Sequence, residues 1–202
     1  PPPCSPPARL GNTCAMHKSQ HGLTLIELMI ALAIAAILAF LAVPSFTSMI
    51  RSNAISGSVN TFLSDMRYAR SEAIRLGGGV VVCRSDDPES ATPACGTGHG
   101  PGNKGWVSGW IIFHDLDNDG AWDSGERVLR VQAAMSSPDQ IVEDGASSST
   151  VFRFTATGRL LSSASATTMR FGSAANGTAR RTVCVNAGGR ARADTSGSAV
   201  CE

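Results

Sequence analysis

Residues 16–43 read MHKSQHGLTLIELMIALAIAAILAFLAV, and this stretch decides the architecture of the chain. Its second part, residues 23–43, is apolar except for Thr24 and Glu27. A helix of roughly 20 apolar residues spans the hydrocarbon core of a bilayer. The sequence therefore predicts one transmembrane helix over residues 23–43.

The residues before the apolar stretch predict how this segment is processed. A secretory signal peptide is cleaved after its apolar region, at a site preceded by small residues. Here Gly22 stands before the apolar stretch, and no Ala-x-Ala cleavage pattern follows it. Lys18 is the only full charge of residues 16–22, and it is expected to hold this leader on the cytoplasmic side.

Glu27 is the one acidic residue within the apolar stretch. A carboxylate in an apolar transmembrane helix is costly, so such a residue is a functional candidate. Cleavage after Gly22 would create a new α-amino group at Leu23, and we interpret Glu27 as the partner of that group on a neighbouring subunit. A tolerated charge near the membrane surface is the alternative.

The helical pattern continues beyond Pro44 in a different form. Apolar residues now recur at steps of three and four, which indicates an amphipathic helix packed on a globular head. Pro44 lacks an N–H, so a kink or local melting is expected there. The glycines of residues 77–79 are a strong stop, and the sequence predicts a helix over residues 23–76. The apolar positions of its second half are Phe46, Met49, Ile50, Ile55, Val59, Phe62, Leu63, Met66, Ala69, Ala73 and Leu76.

The sequence of residues 77–202 predicts a β-rich globular head with many turns. The composition agrees, because the chain has few aromatic residues (5%) and 21 glycines. Thr157-Gly158 suits a hairpin turn between Phe154 and Leu160. A long helix followed by an antiparallel sheet is an α+β arrangement. The candidate strands are Val80–Arg84, Trp106–His114, Val128–Gln132, Thr150–Thr155, Thr168–Phe171 and Arg181–Asn186.

The chain has six cysteines, and none of them forms a CxxC pair or a cysteine–histidine cluster with zinc-like spacing. The last four fall as two local pairs along the head. If the head is exported, Cys83–Cys95 and Cys184–Cys201 are the simplest disulfides. Free buried cysteines are the alternative.

Residues 1–15 differ in composition from the rest of the chain. Five prolines occur in the first seven residues, which rules out a packed element there. We interpret residues 1–15 as an upstream extension before a start at Met16, so Cys4 and Cys14 are expected to have no structural role.

Gly22 followed by LTLIEL, an apolar helix and Pro44 strongly resembles the N-terminal signal of type IV pilins and type II secretion pseudopilins. In that family a prepilin peptidase cuts after the glycine and methylates the new first residue, and a glutamate near the new terminus supports subunit docking. The resemblance implies cleavage and N-methylation at Gly22 and Leu23, and an assembly role for Glu27 and Pro44. Leu23 stands where phenylalanine is commonest in the family.

Three segments of the head resemble the FimT/GspH minor pilins. They are GWIIFHDLDNDGAWDSGERVLR at residues 109–130, FRFTATGRL at residues 152–160 and GRAR at residues 189–192. The resemblance covers most of residues 22–192 and implies the type IV pilin fold, with a single-pass anchor in the bacterial inner membrane and the head in the periplasm. It also implies other pilins or pseudopilins as filament partners, and an extracellular location once the subunit is assembled in a pilus.

The basic C-terminal region is the candidate binding surface. Residues 151–202 contain seven arginines and two acidic residues, a net charge of +5. Arg190 and Arg192 are two residues apart on an extended segment, so both can reach one phosphate backbone. Arg180 and Arg181 lie just upstream of them. The GRxR pattern resembles the DNA-binding motif of FimT-type pilins that take up DNA for transformation, and a solubilising arginine-rich tail is the alternative.

The acidic centre of the chain fits the template of an EF-hand calcium loop. Five carboxylates occur within twelve residues, and Gly120 supplies the sharp turn. The flanking segments WIIFH and RVLRV indicate strands, so the helix–loop–helix frame is missing. We therefore favour an acidic, solvated hairpin loop over a calcium site, and we expect no required cofactor. The five carboxylates belong to Asp115, Asp117, Asp119, Asp123 and Glu126.

Catalysis finds no support in the sequence, which has no GxSxG nucleophile elbow and no phosphate-cradling glycine loop before a helix. The sequence therefore favours a non-enzymatic protein, and the resemblance implies a minor pilin of a type IV pilus that contacts extracellular DNA. A type II secretion pseudopilin acting in protein export is the first alternative. An adhesin that binds surfaces through its loops is the second.

Processing gives the first testable prediction. Gly22→Ala should leave the precursor uncut in the membrane, because the peptidase needs a residue without a side chain at that position. On an immunoblot of cells that contain the peptidase, the variant should be larger than the unsubstituted chain by the mass of the leader. Equal mobility together with normal incorporation into filaments would contradict the assignment.

Overall fold

The computed structural model describes residues 22, 24–143, 151–161, 167–172, 180–194 and 201, with the backbone alone described at residues 41–45. The chain divides into two compact units, residues 1–43 and residues 44–202. The upstream extension predicted for residues 1–15, all of the predicted leader except Gly22, and Leu23 lie outside the described residues.

Helix α1 spans Leu25–Leu76, a length of 52 residues, in agreement with the predicted 23–76. Thr24 caps its start, since the backbone N–H of Glu27 donates a hydrogen bond to the Thr24 hydroxyl at 3.3 Å. The helix continues through Pro44. The missing proline N–H removes one backbone hydrogen bond there without ending the helix.

The end of α1 is set by the glycine run, as predicted. Gly77 has a φ of 84°, in the left-handed region that favours glycine. The N–H of Gly78 donates to the carbonyl of Ala73 at 2.8 Å, which is the long hydrogen bond of a Schellman cap. The chain therefore leaves the helix directly into the first strand.

Where side chains are described, no helix combines the length and the apolarity that a membrane crossing requires. The predicted transmembrane stretch, residues 23–43, includes Leu23 and the side chains of residues 41–43, which lie outside the described set.

The strands described in the structure form two four-stranded sheets in which all neighbours are antiparallel. The strands are β1 (Val80–Arg84), β2 (Trp110–His114), β3 (Arg127–Gln132), β4 (Ile141–Glu143), β5 (Phe152–Phe154), β6 (Thr167–Phe171), β7 (Arg181–Val185) and β8 (Ala191–Asp194). The first sheet has the order β3-β2-β1-β5, and the second has the order β4-β6-β7-β8. A long helix with antiparallel sheets confirms the predicted α+β class.

Five of the six predicted strands agree with the structure to within two residues at each described end. The exception is Trp106–His114, whose first part, Trp106–Ser108, is a short 3-10 helix. Gly109 then has a φ of 109°, and a Cβ there would collide with the Gln132 carbonyl, so the strand begins only at Trp110. The sequence did not predict β4 or β8, because each is short, and β4 also depends on pairing with β6, which is distant along the chain.

The core is built on one face of α1, and Phe62 lies at its centre. The Phe62 ring is fully buried and meets four aromatic rings at centroid distances of 5.6–6.3 Å. Three of the predicted inward positions, Phe46, Met49 and Ile50, are instead 56–66% exposed, so packing on the head begins at Ile55. The buried positions of α1 are Ile55, Val59, Phe62, Leu63, Met66, Ala69 and Ala73.

A buried carboxylate fixes α1 on the first sheet. Asp65 is 3% exposed and accepts hydrogen bonds from the Trp110 indole N–H at 2.9 Å and from the Arg130 guanidinium at 2.6 Å. The same guanidinium lies 4.3 Å from the centre of the Tyr68 ring. A buried acid is stable only when it is paired in this way, so these contacts set the rotation of the helix.

Both predicted disulfides are present. Cys83–Cys95 joins β1 to the loop that follows it, with a Cα–Cα distance of 5.4 Å. Cys184–Cys201 joins β7 to residue 201, with a Cα–Cα distance of 5.6 Å. The N–H of Cys201 also donates to the Thr168 hydroxyl at 3.1 Å. The second disulfide therefore holds residue 201 against the second sheet.

Removal of either disulfide should lower the free energy of unfolding. The cysteines of the two bridges are 12 and 17 residues apart, and closing loops of that length stabilises by about 3 kcal/mol in the chain-entropy model. Urea denaturation of Cys83→Ser/Cys95→Ser and of Cys184→Ser/Cys201→Ser should show this loss in each variant. Cys4→Ser/Cys14→Ser is the matched control and should unfold at the urea concentration of the unsubstituted chain. Unchanged midpoints in both disulfide variants would mean that the bridges do not stabilise the head.

Candidate functional site

The GRxR segment lies at a tight turn between β7 and β8. Asn186 organises this turn, because its backbone N–H donates to the Arg190 carbonyl at 3.1 Å and its carbonyl accepts from the Gly189 N–H at 2.8 Å. The Asn186 side chain also accepts from the Arg190 N–H at 3.1 Å. These bonds constrain the backbone at Gly189 and Arg190, so the Arg190 side chain starts from a well-defined backbone position.

The glycine of GRxR is required by a close approach of two turns. Gly189 has a φ of 71°, and a Cβ at this position would collide with the Gly158 carbonyl. Gly158 belongs to the turn that follows β5, where the Thr155 N–H donates to the Arg159 carbonyl at 2.8 Å. The predicted hairpin there is confirmed by the bridge between Phe154 and Leu160. Two of the segments that suggested the family therefore meet at their glycines.

Four arginines line one open cavity beside these turns, which we call the arginine cavity. Its volume is about 350 Å³. Arg190 and Arg192 come from the β7–β8 hairpin, and Arg67 and Arg70 come from α1. Arg67, Arg190 and Arg192 are exposed, and Arg70 is half-buried. The remaining lining residues are Asn186, Gly189 and Ala191.

The four arginines carry positive charge that no described carboxylate neutralises. Within the described ranges, the ion pairs are formed by other arginines. Those arginines are Arg51, Arg75, Arg84, Arg130 and Arg153. The arrangement is suited to an anion, because each guanidinium can donate two parallel N–H bonds to a phosphate or carboxylate.

Arg180 and Arg181 do not belong to the arginine cavity, although the sequence grouped them with Arg190 and Arg192. In the hairpin Arg192 is opposite Cys184. Arg181 stands three residues before Cys184 on β7, a separation of about 10 Å along the strand. Arg180 lines a different cavity, of about 130 Å³, together with Arg170. The four arginines were grouped because they are close in sequence. The hairpin instead places Arg180 and Arg181 at one end and Arg190 and Arg192 at the other.

Arg67 and Arg70 are the site residues that sequence reasoning missed. In the sequence they stand between the apolar positions of the helix, and none of the motifs used above includes them. Their spacing of three residues does place them on one side of a helix. The sequence alone could not show that this side of the helix faces the β7–β8 hairpin.

The acidic loop connects β2 and β3 and is closed by its own hydrogen bonds. Asp115 is 2% exposed, and its carboxylate accepts from the Asn118 N–H at 2.7 Å and from the Gly120 N–H at 3.0 Å. Arg153 lies 3.9 Å from the same carboxylate. Glu126 accepts from two further backbone N–H groups. Burial raises the pKa of Asp115, and the N–H groups of Asn118 and Gly120 oppose this shift.

The strands on either side of this loop confirm that the helix–loop–helix frame of an EF-hand is missing. Two groups of three carboxylates have oxygens within 4.8 Å of one another. The internal hydrogen bonds account for the fold of the loop, and the preference for a solvated loop over a calcium site stays a prediction. The groups are Asp115, Asp117 and Glu126, and Asp117, Asp119 and Asp123.

The predicted processing residues lie at the start of α1. Gly22 is exposed, and Leu23 lies outside the described residues. Glu27 is exposed in the first helical turn, where a negative charge is favourable to the helix dipole. Its proposed pairing with a neighbouring subunit stays a prediction.

Two family models match the chain. The model of the prokaryotic N-terminal methylation motif matches residues 17–43, and the model described as Type II transport protein GspH matches residues 58–189. Searches of curated proteins and of solved structures found no match. The second model covers more than half of the chain and reaches from α1 to the glycine of the β7–β8 turn. The chain therefore belongs to the GspH family and carries at its N-terminus the methylation motif of type IV pilin-like subunits.

Proposed function

We propose that the chain is a minor pilin of a type IV pilus that contacts extracellular DNA for uptake through Arg190 and Arg192. It is a structural subunit without catalytic activity, held in the bacterial inner membrane with its head in the periplasm until it joins the filament. The observation that carries the DNA role is that both arginines are exposed on one cavity with no carboxylate partner in the described residues.

The N-terminal part of α1 supports the role of filament subunit. Every residue from Leu25 to Phe40 is exposed, and the large apolar side chains among them are 52–82% exposed. An apolar surface of this extent needs lipid or other apolar helices to cover it. The methylation motif in the same segment supports trimming by a prepilin peptidase between Gly22 and Leu23. Glu27 would then assist docking against other pilins.

The chemistry of the arginine cavity favours a phosphate backbone over a base. Among its described lining residues none is aromatic, so stacking on bases has no platform there. Guanidinium contacts to phosphate carry affinity without reading sequence. Binding to DNA of any sequence is what uptake requires.

A type II secretion pseudopilin is the second candidate, and the description of the matched family favours it. The matched residues end at Gly189, immediately before Arg190, so the family match carries no argument for DNA. A pseudopilin would share the anchor, the processing and the head, and it would have no need of exposed arginines at GRxR. The two roles therefore differ in one measurable property, the affinity for DNA.

The DNA role predicts the behaviour of Arg190→Ala/Arg192→Ala. Fluorescence anisotropy with labelled duplexes of two unrelated sequences should show equal weakening for both, because the lost contacts are to phosphates. The slope of log affinity against log salt should become shallower by about two, since two counterion-releasing contacts are lost. The unsubstituted 202-residue chain, purified in neutral detergent, should bind with a dissociation constant on the order of 10⁻⁶–10⁻⁴ M at physiological salt.

Arg180→Ala/Arg181→Ala is the matched comparison, because it removes the same charge from the other end of the same hairpin. It should retain more affinity than the Arg190/Arg192 variant. Natural transformation should fall in cells that carry the Arg190/Arg192 variant. Absent or salt-insensitive DNA binding, with unchanged transformation, would favour the secretion pseudopilin.

A further inference from the structure

We propose that Arg67 and Arg70 of α1 act with Arg190 and Arg192 as one four-arginine site for the phosphate backbone of duplex DNA. The inference rests on the proposed function and extends it to residues of the N-terminal helix, outside GRxR. The site is thus split between two elements, the β7–β8 hairpin and α1.

The position of Arg67 and Arg70 follows from how α1 is seated. Phe62 and Asp65 face the sheets, and both are buried. Further along the helix, Arg70 lies against the turn at Gly158, and Arg67 lines the arginine cavity together with it. A Cβ added at Gly158 would lie 2.9 Å from the Arg70 Nε, so the Arg70 side chain passes directly over this glycine. The same glycine touches Gly189 of GRxR, and this chain of contacts brings α1 next to the hairpin.

This packing restricts Arg70 before any ligand arrives. Arg70 is half-buried, and its side chain fills the space that a side chain at residue 158 would need. A guanidinium that is already held in place loses less conformational freedom when it binds. Arg67 is exposed and remains free to adjust to the ligand. The pair therefore combines one preorganised and one adaptable contact.

The charges of the four arginines are available, because none of them forms an ion pair with a carboxylate in the part of the chain that the structure describes. The same helix shows the contrast. Arg75 is paired with Glu72, three residues away, and Arg51 is paired with Asp139. If Arg67 and Arg70 served only in internal salt bridges, each would have a carboxylate partner, as Arg75 and Arg51 do.

The spread of the site indicates the class of ligand. Duplex DNA carries one negative charge per about 1.7 Å of its axis, so a cavity lined by four guanidinium groups can contact more than one phosphate. A lone inorganic phosphate would be satisfied by one or two of them. The openness of the cavity to solvent also suits an extended backbone that crosses the surface.

The test compares Arg67→Gln/Arg70→Gln with the unsubstituted 202-residue chain in neutral detergent, using labelled duplexes of two unrelated sequences. With four phosphate contacts, affinity should fall about 150-fold between 50 and 200 mM salt, and with two contacts it should fall about 12-fold. The Gln variant should show the shallower dependence and weaker binding at low salt. Arg75→Gln/Arg127→Gln is the control for net charge, because it also removes two exposed arginines, both outside the cavity. It should retain the steeper dependence.

Two further variants distinguish a loss of DNA contacts from a loss of folding. Arg67→Gln alone changes an exposed side chain and should lose about one unit of the salt slope. Arg67→Lys/Arg70→Lys keeps both charges, so its salt dependence should be close to that of the unsubstituted chain and steeper than that of Arg67→Gln/Arg70→Gln. Thermal melting of each variant shows that the head is folded.

The outcomes separate this inference from the proposed function. If Arg67→Gln/Arg70→Gln binds like the unsubstituted chain while Arg190→Ala/Arg192→Ala is weakened, the α1 arginines are not part of the site and the inference is overturned alone. If Arg75→Gln/Arg127→Gln is weakened equally, general charge explains the binding and the inference is again overturned. If the unsubstituted chain binds no DNA at all, the proposed function is overturned and the inference with it.

Discussion

Phe62 is the contact on which the rest of the head depends. Its buried ring meets Trp110 and Phe152 of the first sheet and Phe171 of the second at centroid distances of 5.6–6.3 Å. Burying a side chain of this size contributes about 1.5–3 kcal/mol, and the edge-to-face geometry adds to that. Asp65, one turn further along α1, fixes the rotation of the helix through its bonds to the first sheet. The helix and the two sheets therefore pack together around Phe62.

The arginine cavity is a consequence of this seating. With Phe62 facing inward, Arg70 lies against the turn at Gly158, and Arg67 lines the same cavity. The turn at Gly158 itself touches the turn at Gly189. Both glycines have positive φ and leave no room for a side chain, so the backbone alone brings the two turns together. A cluster of like charges is unfavourable unless an anion is present. Its assembly from separate segments by close packing is therefore the strongest structural argument for a ligand.

Local signals were enough to predict much of this structure. The end of α1, both disulfides and the Thr157-Gly158 hairpin each depend on residues that are close in sequence, and each was confirmed. The sequence failed where a distant neighbour decides the outcome. β4 is a strand because it pairs with β6, and Trp106–Ser108 is a 3-10 helix because Gly109 has to approach the Gln132 backbone. Arg190 and Arg192 were identified from the GRxR pattern, whereas Arg67 and Arg70 required the docking of α1 to be known.

Arginine side-chain NMR gives the most direct test of the central claim, that four arginines from two elements form one DNA site. Duplex DNA would be titrated into the isotope-labelled chain while the Nε–Hε signals of individual arginines are followed. The account predicts that the signals of Arg67, Arg70, Arg190 and Arg192 move together along one binding curve, and that those of Arg75 and Arg127 stay in place. Movement confined to other arginines, or separate curves for the α1 pair and the hairpin pair, would contradict it.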